Sequence, residues 1–246
     1  MQTLTRDAIF RGRITVFQPP RGQGYRFAVD SVLLGAFASA RRAATAVDLG
    51  AGSGVVGFIL LHAGAAGTVH FVERDDLLVR ACRRGLKANG FASRGSVVRA
   101  DLRSDGWVCR LRGVDLVVCN PPFRKQGSGW TSPTRDVAAA RHEITMRIED
   151  VTARSAELLR GSGRLCLVMP PERLDDVLRA ASASRLGPVR MRFVHAKASR
   201  NAGGVLIELR PSTGKSTAVT VLPPLVIHRE DGAYTAEASD ILEGSL

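Results

Sequence analysis

Two periods of apolar spacing alternate along most of this chain. Short apolar runs occur at Ala46–Leu49, Val69–Val72, Ser96–Ala100, Val114–Cys119, Gly163–Met169, Val189–Val194 and Val205–Leu209. Each has the length and β-branched content of a buried strand. Helical spacing fills most of the intervals: Val55, Val56, Ile59 and Leu60; Leu78, Cys82 and Leu86; then Ile148, Val151, Thr152, Ser155, Leu158 and Leu159. Pro170 to Leu186 reads as one more helical crossover. Strand and helix in alternation predict an α/β fold. It consists of a mostly parallel seven-stranded sheet with right-handed crossovers, helices on both faces and a final antiparallel strand.

Outside this block the pattern loosens. Arg11 to Phe17 alternates as a short β-extension and runs into the turn-rich Gln18–Gly24; Asp30 or Ser31 can then cap a helix carrying Val32, Leu33, Ala36, Phe37 and Ala40. Residues 1–42 are therefore expected to form an N-terminal β-extension with a lid helix, and residues 43–210 the main domain. Residues 211–246 form a small C-terminal appendage packed on that domain, with a linker at Pro211–Thr217 and a turn at Asp231-Gly232.

Composition narrows the setting. At 246 residues and 45% apolar content the chain can bury a sizeable core. Met1 to Arg13 alternates polar and apolar residues, unlike a secretion leader, and the least charged stretch, Ala43 to Val72, holds no long uninterrupted apolar run. A cytoplasmic protein with no membrane partner is expected. Cys82, Cys109, Cys119 and Cys166 have no CxxC spacing, so neither zinc nor a disulfide is inferred. The net charge of +12 favours a polyanionic partner, because each cation set against a phosphate releases a condensed counterion. Lys87, Lys125, Lys197 and Lys215 are the only lysines, an arginine-rich usage that genome composition can explain; the excess of basic over acidic residues is not explained that way.

Candidate chemistry lies where strands end. Ala46-Val47-Asp48-Leu49 runs into Gly50-Ala51-Gly52-Ser53-Gly54, a strand-to-helix turn whose glycines let backbone amides approach a ligand. A carboxylate at Asp48 would repel a pyrophosphate but suits an ammonium. S-adenosylmethionine carries an ammonium and a sulfonium, and no phosphate. Glu73 follows the next strand, about twenty residues past the glycines, where it can bond both ribose hydroxyls. Asp101 follows the third strand and could accept from an adenine amine. Tyr25 to Ser31, including Asp30, would edge the ligand as a lid, although packing explains Tyr25 and Phe27 equally well.

Asn120-Pro121-Pro122-Phe123 closes the fourth strand. Proline has no amide proton and holds the residue before it extended, so the Asn120 and Pro121 carbonyls face outward beside the Asn120 amide oxygen. Phe123 offers a flat face for a planar ring. Together these suit a planar group bearing NH2, whose weakly nucleophilic nitrogen is favoured when acceptors hold its hydrogens. Beyond it, Arg124, Lys125, Trp130 and Arg135 interleave cations with an indole, a composition suited to a single-stranded or flipped nucleotide. Arg141-His142-Glu143 reads more readily as an ion-paired cluster than as a general base. Trp107 reads as packing.

Through Asp48–Gly54, Glu73, Asp101 and Asn120–Phe123 the sequence resembles class I S-adenosylmethionine-dependent methyltransferases, which implies a Rossmann-like fold with that cofactor. More narrowly, Gly24–Phe27 with Asp30-Ser31, Arg141–Glu143, Pro224–His228 and Asp231–Thr235 resemble the bacterial tRNA(Val) adenine-N6 methyltransferases, which methylate adenosine-37 beside the anticodon. Phe123 stands where many relatives carry Tyr, which keeps the stacking and loses a hydroxyl. The resemblance implies that Asn120, Pro121, Pro122 and Phe123 are catalytic. It implies that Tyr25, Asp30, Asp48, Gly50, Gly52, Gly54, Glu73, Asp101 and Asn120 hold the cofactor, and that Arg124, Lys125, Trp130 and Arg135 meet RNA. Neighbouring families with the same tetrapeptide methylate guanine N2 of ribosomal RNA or a protein glutamine. An NAD-dependent oxidoreductase would use the glycines and Glu73 but has no need for Asn-Pro-Pro-Phe, and a non-catalytic RNA-binding protein would bind RNA without methyl transfer.

Overall fold

The computed structural model describes residues 3–121, 146–212 and 218–245. Its centre is a sheet whose strands β3 (Ala43–Leu49), β4 (Ala66–Glu73), β5 (Gly95–Arg99), β6 (Val114–Cys119), β7 (Leu159–Met169), β8 (Leu186–His195) and β9 (Ala202–Pro211) lie in the order β8-β9-β7-β6-β3-β4-β5. These are the seven expected strands. Neighbours from β7 through β5 pair in parallel, while β9 runs antiparallel between β7 and β8. Two antiparallel steps restore direction, so β8 points the same way as β6. The sheet gains two short strands beyond the seven: β10 (Thr220–Val221) and β11 (Leu225–Val226) both pair in parallel with β8. At two residues each they are too short for an alternation pattern to announce them.

The central strands are covered on both faces. Every residue of β6 is buried, as parallel strands between helical layers require. One layer holds α1 (Val29–Ser39), α2 (Val55–His62) and α3 (Asp76–Ala88); the other holds α4 (Ile148–Leu158) and α5 (Leu174–Ala183). Helix α2 is apolar all round, VVGFILL, which explains its burial. Helix α3 begins at Asp75, whose carboxylate accepts from the Leu77 and Leu78 amides. Helix α1 departs from expectation: neither Asp30 nor Ser31 caps it, because the helix starts one turn position earlier at Val29 with Ala28 as an uncapped N-cap. Ser31 is thereby drawn inside the first turn and buried.

The chain ends join the same body. A hairpin of β1 (Thr5–Ile9) and β2 (Ile14–Gln18) packs β2 on α3, where Asn89 bonds both the amide and the carbonyl of Thr15. The last helix, α6 (Ala236–Glu243), is capped by Thr235 and lies against α1. Its end meets the hairpin turn: Arg11 pairs with Glu243, Arg13 donates to the Glu243 carbonyl, and a Cβ on Gly244 would strike the Phe10 ring at 2.5 Å. Phe10, Ile14 and Val16 share one buried cluster with α1, α2 and Ala238.

Candidate active site

All the parallel strands deliver their carboxyl ends to one side, where the order turns from β6 to β3, the position at which such sheets hold ligands. There a cleft of about 560 Å3, part of it open to solvent, is lined by Gly50 and Gly52 after β3, Glu73 and Arg74 after β4, Ala100 to Leu102 after β5, and Asn120 after β6. Tyr25 and Met146 complete the wall. Separate chain segments meet here because each strand ends at the same level.

The turn after β3 is bare by necessity. Gly50, Gly52 and Gly54 have φ of +64°, +57° and +89°, a region that side chains disfavour. A Cβ on Gly52 would lie 3.2 Å from the Tyr25 ring, and one on Gly54 would lie 2.7 Å from Cys82 Sγ. Tyr25 thus lies on the turn, as a lid edge would. Within the turn the Ser53 hydroxyl is buried and has no hydrogen-bond partner among the described residues.

Glu73 is fixed by amides. Its Oε2 accepts from Gly52 N at 2.9 Å, and its Oε1 from Arg74 N and Asp75 N at 2.8 Å each. The carboxylate therefore ties the end of β4 to the glycine turn and still faces the cleft. Asp101 also lines the cleft. Its carboxyl is held well below the usual carboxylate range, first by the Arg103 side chain, whose Nε and guanidinium donate at 3.0 and 2.7 Å, then by the Arg103 amide and the Arg74 charge. Trp107 packs beneath it and donates Nε1 to the Asp101 carbonyl, so the indole is structural.

Asp48 stands behind the turn. It is 2% exposed, and its Oδ2 accepts from Gly57 N, in the first turn of α2, at 3.0 Å. Burial pushes its carboxyl up to about 7, the Gly57 amide opposing and the Glu73 charge adding to the rise. The same burial, with both carboxylates nearby, raises the Cys82 and Cys119 thiols, which are core rather than reactive groups. Asp30 lies in the first turn of α1, outside the wall of the cleft.

Asn120 has one polar atom committed. Its Nδ2 donates to Ser31 Oγ at 3.0 Å, which leaves Oδ1 as the acceptor available to a ligand. Pro121 is buried beside it. Pro122, Phe123, Arg124, Lys125, Trp130 and Arg135 lie outside the described residues, as do Arg141, His142 and Glu143. Sequence reasoning missed Ser31 as the partner of Asn120 and Met146 as part of the wall, where a Cβ on Gly50 would meet the Met146 methyl. A separation of 89 residues carries no local pattern that could have joined Ser31 to Asn120.

Among the described residues no group of His, Cys, Asp and Glu is placed to hold a metal, and no helix is long and apolar enough to cross a membrane. The bare glycine turn, the Glu73 carboxylate facing the cleft and the unpartnered Ser53 hydroxyl fit a nucleoside with a small charged tail, as S-adenosylmethionine is.

Comparison with known proteins agrees. Residues 29–174 match the family described as "Methyltransferase small domain". A Porphyromonas gingivalis protein named tRNA1(Val) (adenine(37)-N6)-methyltransferase is 30% identical over 88% of this chain and 86% of its own length. An Aeromonas hydrophila protein of the same name is 29% identical, covering 84% of each. Among solved structures, a predicted O-methyltransferase from Agrobacterium tumefaciens superposes with a TM-score of 0.69 at 24% identity, over 87% of this chain and 96% of that one. M. jannaschii TYW2 in complex with AdoMet superposes at 0.56 and 12% identity, over 86% and 88%. These likenesses identify the fold as Rossmann-like class I.

Proposed function

From the premise that the chain belongs to the methyltransferase small domain family and uses S-adenosylmethionine, we propose that its acceptor is the exocyclic N6 amine of adenosine-37 in a valine tRNA. The observation that carries the reading is Asn120 at the end of β6, in one cleft with the glycine turn and Glu73, its Nδ2 held by Ser31 so that Oδ1 is left for an amine. The names of the Porphyromonas and Aeromonas relatives support the choice of RNA and position, and the net charge of +12 supports a polyanionic partner. A cytoplasmic location follows from that substrate.

The cofactor, when bound, supplies an electrophilic methyl on a sulfonium. Glu73, oriented by three backbone amides, would accept from the ribose hydroxyls; Asp101 would accept from the adenine amine of the cofactor; the amides of Gly50 to Gly54 and the Tyr25 ring would enclose its tail. Asp48 acts from behind the turn, as a negative charge favouring the ammonium whenever it is ionised. Asn120 Oδ1 and the Pro121 carbonyl hold the two hydrogens of the target amine, turning its lone pair away from its own ring and toward the methyl, with Phe123 stacked on the base. With the cofactor bound, the chemistry supplied would be methyl transfer to this nitrogen with a neutral thioether left behind, and the nitrogen would release its surplus proton to water. Alignment of this kind can contribute roughly 7–11 kcal/mol. Radiolabelled methyl transfer to tRNA and ribosomal RNA, followed by nucleoside analysis, tests the reading: label in N6-methyladenosine of valine tRNA is expected, and label in N2-methylguanosine or in protein overturns it.

A further inference from the structure

The segment Leu225–Thr235 plays no part in the cleft, yet it is built with care at the same end of the sheet. β11 continues past β8, with Ile227 N donating to His195 O and His228 N to Ala196 O. A tight hairpin follows: Arg229 N bonds Ala233 O, Gly232 takes φ +89°, and His228 pairs with Tyr234 across the turn. Thr235 anchors it by donating to Val226 O while capping α6. The His228 and Tyr234 rings stack with centroids 4.7 Å apart and planes 24° apart. Tyr234 is nevertheless 52% exposed, the only exposed large aromatic among the described residues. A ring backed by another ring, fixed by a hairpin and open to solvent has lost the freedom to fold away. Its uncovered surface suits a flat partner.

Position and charge select the partner. Because β8 runs parallel to β6 and β11 to β8, the hairpin emerges on the same side as Asn120, four strand spacings along the sheet, or about 19 Å at roughly 4.8 Å per spacing. The hairpin and the β8–β9 loop tied to it carry Lys197, Arg200 and Arg229, against Glu230 and Asp231. Lys197 donates to the Glu230 carbonyl and Ser199 to its carboxylate, which ties the β8–β9 loop to the hairpin, and Arg229 pairs with Asp231. Arg200 is exposed and makes no ion pair among the described residues. An exposed aromatic among cations is the combination that binds unpaired nucleotides.

We propose that Tyr234, supported by His228, is a stacking platform for an unpaired base of the same RNA whose target nucleotide occupies the cleft, with Arg200 and Lys197 meeting the adjoining phosphates. The proposal rests on the tRNA reading above and adds where a second base of the loop is held.

Steady-state methylation of a valine tRNA transcript, together with anisotropy of its labelled anticodon stem-loop, tests it on the full chain. Tyr234→Ala is expected to raise KM and the stem-loop Kd by about 5- to 150-fold, the range for one stacked base, with kcat and cofactor affinity unchanged. Tyr234→Phe should restore both, whereas Tyr234→Leu, which keeps the apolar packing on His228 but not the aromatic face, should not. An active Tyr234→Ala protein with unchanged KM and Kd overturns the platform, as does full recovery by Leu. If the unaltered chain binds the stem-loop through Tyr234 but places no methyl on tRNA, the acceptor assignment fails and the platform stands.

Discussion

Replacing Asp48 by asparagine is expected to leave stability nearly unchanged close to about pH 4 and to stabilise the protein increasingly as pH rises toward about 7. An unfolded aspartate titrates at about 3.9, while burial and the nearby Glu73 charge push Asp48 up to about 7 in the fold. Between those values the folded state keeps a proton that the unfolded state has lost. Stability therefore falls as pH rises, by about 1.4 kcal/mol per unit across roughly three units, or about 4 kcal/mol in all. The neutral side chain contributes most fully below the unfolded value, and its contribution is lost as pH rises through the folded one. Asparagine retains an oxygen for the Gly57 amide and has nothing to ionise. Urea unfolding of both proteins from pH 4.5 to 8 should give curves that diverge steadily in favour of Asp48→Asn and level off above pH 7. A gap that is constant with pH, or one that closes, would refute the assignment of the cost to Asp48. The cofactor supplies the counterpart: its affinity for the unaltered protein should strengthen through pH 7 as the carboxylate ionises, and that rise should vanish in the variant.

Asn120→Ala should abolish turnover while leaving cofactor affinity within a few fold; calorimetric titration showing lost cofactor binding would mean its role is misassigned. Glu73→Gln should weaken cofactor binding about 10- to 100-fold, the range for one charge-assisted hydrogen bond, with the largest loss for the nucleoside and little for methionine alone in competition binding. Gly54→Ala, at φ +89° with Cys82 Sγ and Phe58 Cζ inside 3 Å of the new methyl, should lower stability by about 1–3 kcal/mol in urea unfolding. An unchanged midpoint would show that the turn has slack.

Much of the sheet was legible because its signals are local. Seven apolar runs mark the seven main strands, and the glycines after Leu49 announce a turn that only glycine tolerates. Glu73 and Asn120 could be placed because strand ends converge wherever strands are parallel. What escaped was set by distance or by competition. Asp48 looked like a cleft residue from its neighbours in sequence, yet strand alternation directs it toward α2, where the Gly57 amide receives it. Asp101 reads as an acceptor for an adenine amine, and the sequence does not show that Arg103, only two residues away, also bridges its carboxylate. Ser31 resembled a helix cap, but the lid helix begins before it and Asn120 claims its hydroxyl.

The clasp between the Phe10 turn and the last helix has a bearing on biosynthesis. The hairpin leaves the ribosome more than two hundred residues before the glycine that covers Phe10 and the glutamate that receives Arg11 and Arg13. Between the two that phenylalanine waits for its cover. Completion of the α1–α2 layer is thus deferred until Gly244 has emerged, and a nascent chain stalled before it would present a sticky aromatic surface to chaperones.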